Sequence, residues 1–92
     1  MVVLMLERVP ASLRGEISRW MIEPKTGVFV GKLSAAVRDR LWENAQSAAR
    51  DGAGMLIYSS KTEQGFNVRT FGDTSREIVN MSKLWLVRIA TA

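Results

Sequence analysis

The order of segments along this 92-residue chain predicts an α+β sandwich, an antiparallel sheet with two helices on one face. Three observations carry that prediction. Short apolar, β-branched and aromatic runs recur at Val2–Leu6, 28–30, 55–58, Phe66–Phe71 and Leu84–Ile89, each of strand length. Between the first three runs lie stretches with apolar residues at helical spacing along one stripe only. The strands outnumber the helices, and the order strand, helix, strand, helix, strands is that of a ferredoxin-like arrangement in one domain spanning 1–92.

Taken in order, Val2–Leu6 is a continuous apolar run without polar alternation, the pattern of a central strand covered on both faces. Glu7 and Arg8 end it. Pro10 and Ala11 open the first helix, since proline is tolerated in a first turn. Leu13, Ile17, Trp20 and Met21 form its stripe, which assigns Trp20 to the core; Arg14 lies at the stripe edge and Arg19 further round. The breaker Glu-Pro-Lys-Thr-Gly at 23–27 follows, and residues 22–33 fit either one strand or a bent hairpin. Val28, Phe29 and Val30 suit a pleated surface, and Gly27 and Gly31 bracket them.

Ser34 stands where an N-cap belongs. A second helix over about 35–50 carries Val37, Leu41, Asn44, Ala45 and Ala48 as a narrow stripe, with Trp42 at its edge, suited to core or interface. Asp-Gly-Ala-Gly at 51–54 stops it with glycine at the C-cap. The apolar strand at 55–58 turns through 61–65 into Phe66–Phe71, where Phe66 and Val68 face one way and Asn67 and Arg69 the other. Residues 72–75 read as a polar loop followed by Arg76 and Glu77, and Leu84–Ile89 as a last strand.

Two helices cover one sheet face. The second face, with Val3 and Met5 opposite Val2, Leu4 and Leu6, is too apolar to leave in water. A homodimer through that face or through the C-terminal strand is therefore expected, a common way for a domain this small to gain stability.

Composition narrows the chemistry. The chain has no cysteine and no histidine, which removes disulfides, thiolate zinc sites, a cysteine nucleophile and the commonest neutral-pH base. Catalysis would rest on carboxylates, a hard cation and water. A formal net charge of +4 favours a polyanionic partner such as nucleic acid. The apolar N-terminal run is too short for a membrane span and lacks a signal-peptide layout, so a cytoplasmic protein without membrane contact is expected.

Glu7, at the end of the first strand, is the candidate catalytic and metal-binding acid, although one carboxylate holds Mg²⁺ poorly without a second acid, phosphate or water. Arg14, Lys32, Arg38, Arg40, Arg69 and Arg76 are the candidate phosphate contacts; Arg38 and Arg40, two apart on a helix, do not share a face. Trp85 suits a protein interface.

These residues also fall into a pattern. Glu7-Arg8-Val9-Pro10 with Leu13-Arg14-Gly15, Trp20 with Met21-Ile22-Glu23, and Gly27-Val28-Phe29-Val30-Gly31 with Ser34-Ala35, Arg38 and Trp42-Glu43 lie in one register. Thr62-Glu63, Gly65-Phe66 and Thr70-Phe71-Gly72 complete it. As a set they resemble CRISPR-associated protein two in its type I-E form. The resemblance implies a ferredoxin-like homodimer placed between two dimers of the CRISPR integrase, CRISPR-associated protein one. That complex captures a prespacer duplex and inserts it into the CRISPR array. The integrase carries out strand transfer, so this subunit is expected to be a non-catalytic scaffold that binds the duplex DNA backbone. The matching positions put Arg14, Arg38 and Arg76 against prespacer phosphates. They make the C-terminal strand (about 83–90), with Leu84, Trp85, Leu86, Val87 and Ile89, the dimer or integrase interface. Many relatives are also described as Mg²⁺-dependent endonucleases on RNA or duplex DNA. Those use an aspartate at the end of strand one, paired across the dimer, where this chain has the longer Glu7.

Overall fold

The computed structural model describes residues 1–48, 52–72, 76–81 and 84–89, the last two segments as backbone alone. The elements are β1 (Val2–Leu6), α1 (Ala11–Ile17), β2 (Ile22–Lys25), β3 (Val28–Gly31), α2 (Ala35–Ala48), β4 (Gly54–Ser59), β5 (Phe66–Phe71), β6 (Arg76–Met81) and β7 (Leu84–Ile89). The first five strands form one sheet in the order β2-β3-β1-β4-β5, every pairing antiparallel. Its first four strands and two helices have the ferredoxin-like connectivity, and β5 extends the sheet at one edge. β6 and β7 pair as a separate antiparallel ribbon, with Arg76 opposite Ile89 and Met81 opposite Leu84.

β1 is central, between β3 and β4, but only one of its faces is closed. Val2, Leu4 and Leu6 are buried, whereas Val3 and Met5 are half-buried. The continuous apolar run therefore does not mark a strand sealed on both sides within one chain. The helix-side core joins those three residues to Leu13 and Ile17 of α1, Leu41, Trp42 and Ala45 of α2, and Phe29, Leu56 and Tyr58 of the sheet. Phe29 and Ile17 are fully shielded, and a side chain of that size contributes about 1.5–3 kcal/mol on burial. On the opposite face, Val3 pairs with Val30 and Ile57, and Met5 with Val28 and Met55. All six are half-buried.

Residues 22–33 resolve into a hairpin. β2 is an edge strand, where Pro24 removes no ladder bond that the sheet needs. The turn is Gly27, whose φ of 80° suits glycine. A Cβ there would collide with the carbonyl oxygen of Leu6, whose own N–H donates to Gly27 O at 2.8 Å. Ser34 caps α2 as its position suggests, Oγ accepting from Val37 N–H at 3.3 Å.

Trp20 departs from the sequence reading. α1 ends at Ile17, and the N–H groups of both Trp20 and Met21 return to Ile17 O at 2.9 Å. The helical period stops there, so Met21 takes the buried place and Trp20 is 50% exposed. β6 is a second difference: Arg76–Met81 form a strand to which the sequence reading assigns no element, because Glu77 and Asn80 break the apolar run. Residues 49–51, where the second helix was expected to end, lie outside the described residues, and Gly54 opens β4.

Candidate nucleic-acid interface

The antiparallel β4–β5 pairing sets Tyr58 opposite Asn67 and Leu56 opposite Arg69. Arg69 is therefore diagonal to Tyr58 on the face that α2 covers, within reach of a long side chain. α2 brings Arg38 to the same ring. The Arg38 guanidinium carbon stacks 3.9 Å from the Tyr58 centroid, and that of Arg69 lies at 5.2 Å. Tyr58 is itself buried, so it offers a fixed π face to two cations. Between them stands Asp39, whose Oδ1 accepts from Arg38 Nε at 2.9 Å and from Arg69 Nη1 at 3.1 Å. The hydrogen bond from Arg38, with the charge of both arginines, outweighs partial desolvation and holds the Asp39 carboxyl below its ordinary value of 3.8. Pairs this exposed are worth about 0.2–1 kcal/mol each, so the cluster is held as much by stacking as by charge.

Arg40 lies on the other flank of α2, as its two-residue offset from Arg38 requires. It lines a shallow groove with Gly15, Glu16, Arg19, Trp20 and Asn44. Asn44 Nδ2 donates to Glu16 Oε1 at 2.7 Å and ties the two helices together beneath it.

Arg14 occupies a different setting. It sits in the last turn of a seven-residue helix, where the dipole favours a cation, and not near the helix N-terminus. Its Nε is 3.2 Å from Glu23 Oε1, close enough to pair charges but without hydrogen-bond alignment. Glu23 Oε2 accepts the Gly27 N–H at 2.8 Å, so this carboxylate links α1 to the hairpin turn. Arg14 thus has a structural partner beside any surface role.

Arg76 opens β6, and Leu84, Trp85, Leu86, Val87 and Ile89 form β7; their side chains lie outside the described residues.

Glu7 is exposed at the end of β1, its backbone N–H donating to Ala53 O at 2.9 Å. Arg8 follows with φ 56°, an uncommon left-handed conformation for a residue with a Cβ. The cleft at Glu7 is otherwise lined by Met5, Leu6, Thr26, Gly27, Val28, Ala53, Gly54 and Met55. Among the described residues no three acidic, histidine or cysteine side chains gather as a cation site. Within one protomer, one carboxylate beside a threonine hydroxyl and backbone is too few hard oxygen donors for Mg²⁺, which would need a second acid across a dimer, phosphate or water.

Asp39 and Tyr58 were absent from the site as read in sequence. The hairpin register was the available signal: a short turn after Tyr58 fixes Arg69 diagonal to it. No helix among the described residues is long and apolar enough to cross a membrane.

Residues 1–86 match the family model described as CRISPR-associated protein (Cas_Cas2CT1978).

Proposed function

The chain belongs to the Cas2 family of CRISPR-associated proteins, and from that premise we propose that it is the non-catalytic, dimeric scaffold of a type I-E spacer-acquisition complex. In this reading it binds the backbone of a prespacer duplex and bridges two integrase dimers. The observation that carries the duplex-binding part is the pairing of Arg38 and Arg69 over Tyr58, a partly exposed double cation on a chain of net charge +4. Arginine donates to phosphate oxygens without reading bases, as a scaffold that accepts varied prespacers requires. Arg40 on the opposite flank and Arg76 on β6 would add contacts along the duplex. The half-buried outer sheet face of Val3, Met5, Val28, Val30, Met55 and Ile57 supports self-association, since burying it would remove apolar area from water. Among the described residues of one protomer no acidic cluster supports the alternative, a Mg²⁺-dependent endonuclease, which would need a carboxylate from each protomer.

The test is duplex binding by the full chain across a salt series, using two mixed-sequence duplexes of equal length. The reading predicts equal affinity for the two and a log–log slope of about −0.9 per phosphate contacted. Salt-insensitive binding, or preference for one sequence, would contradict it.

A further inference from the structure

One oxygen of Asp39 is held by two guanidinium groups that come from different elements, Arg38 Nε of α2 at 2.9 Å and Arg69 Nη1 of β5 at 3.1 Å. Convergence of two guanidinium groups on one anionic oxygen is also the way arginines hold a phosphate oxygen. Both groups are positioned by the same buried ring of Tyr58. The Asp39 side chain is 49% exposed, so the anion position lies at the surface and opens to solvent. Resting on the duplex-binding reading above, we propose that Arg38 and Arg69 form a clamp for a single backbone phosphodiester, and that Asp39 is its internal stand-in. The carboxylate fills the clamp in the free protein and gives way to phosphate on binding.

The donor count permits the exchange. A guanidinium has five N–H donors, and Asp39 takes one from each arginine. Donors therefore remain on both groups for the other non-bridging phosphate oxygen. The energetics are favourable in sign: exposed ion pairs contribute little, whereas a bound phosphate also releases a condensed counterion. The Tyr58 ring, 3.9 Å from the Arg38 guanidinium carbon and 5.2 Å from that of Arg69, would keep both groups near the site when the carboxylate leaves, so the clamp does not have to be rebuilt.

An acid inside a basic site lowers the affinity of the native protein. Its removal should raise affinity through this clamp and not merely by changing net charge. The experiment measures duplex affinity and salt slope for the full chain, with thermal melting as a fold control. The proteins are wild type, Asp39→Asn, Arg69→Gln, the Asp39→Asn/Arg69→Gln double variant, and Glu43→Gln, which removes a charge from the same helix outside the clamp. Asp39→Asn should bind about three- to tenfold more tightly at low salt, given the worth of exposed pairs. Glu43→Gln should change affinity by less than about twofold, as a screened charge. Arg69→Gln should flatten the slope by about 0.9, and the gain from Asp39→Asn should shrink in its presence.

Inorganic phosphate at constant ionic strength separates a backbone phosphodiester from a free anion. It should compete only weakly, and efficient displacement of duplex by it would reassign the clamp and overturn the proposal. Steep, sequence-independent binding with Asp39→Asn no tighter than Glu43→Gln would overturn the clamp alone. Absence of duplex binding in all five proteins would overturn the clamp together with the scaffold reading.

Discussion

Gly27→Ala should be strongly destabilising for a single-methyl change, and its cost can be worked from the turn. A residue with a Cβ at the φ of 80° found there costs about 1–2 kcal/mol relative to glycine. The new Cβ also meets the Leu6 carbonyl oxygen, so the hairpin must lift from the end of β1. That lengthens the 2.8 Å bond from Leu6 N–H to Gly27 O, worth about 1 kcal/mol. Reduced freedom of the unfolded chain returns about 0.4–1 kcal/mol. The net loss is then about 1.5–2 kcal/mol, or roughly 10 °C in Tm for a domain of this size. Two controls divide the effect. Gly65 has φ 83° but open space around its missing Cβ, so Gly65→Ala should show the conformational part alone. Gly15 lies within α1 with nothing near, and Gly15→Ala should stabilise by about 0.5–1 kcal/mol. Urea unfolding at one fixed protein concentration measures all three, since an oligomer's midpoint depends on concentration. If Gly27→Ala and Gly65→Ala agree within about 0.5 kcal/mol, the packing of the hairpin turn onto β1 is not what holds the stretch in place.

Glu7→Ala should leave the melting temperature and duplex binding unchanged, because its exposed carboxylate has no partner among the described residues; any Mg²⁺-dependent cleavage by the native chain should disappear with it, and loss of duplex binding by a folded variant would contradict the scaffold reading. The chain should be a dimer at micromolar concentration by light scattering, and Ile57→Asp, in the middle of the half-buried outer face, should be a monomer; a monomeric wild type, or a variant of dimer mass, would contradict self-association through this face. Asp39 has its folded pKa lowered, so its stabilisation is complete above about 3.8 and is lost as pH falls through the lower folded value. The stability gap between wild type and Asp39→Asn, at most about 1 kcal/mol for so exposed a pair, should therefore close below pH 3.8 and stay constant above it.

The architecture was legible because it rests on local signals. Apolar runs located β1, β4, β5 and β7, and Ser34 located the start of α2. Trp20 was misread because a stripe at helical spacing continues past the point where the helix itself ends, and spacing alone carries no terminus. β6 was missed because Glu77 and Asn80 interrupt its pattern. At the site, Arg38 and Arg40 separated as their offset requires. The joining of Arg38 to Arg69 was not visible, since it depends on α2 lying over the β4–β5 edge, a contact between segments about 30 residues apart. Arg14 shows the converse: its type and stripe-edge position suggested a free cation, but Glu23, brought alongside by the β2–β3 hairpin, pairs with it.

In the proposed role this chain joins duplex DNA to the integrase without doing the chemistry. Size-exclusion chromatography with light scattering, on the chain mixed with its cognate integrase and a mixed-sequence duplex, tests it most directly. One species containing all three is expected, which loses the duplex, but keeps the protein assembly, as salt is raised. Elution of integrase and duplex together with this chain left behind would contradict it.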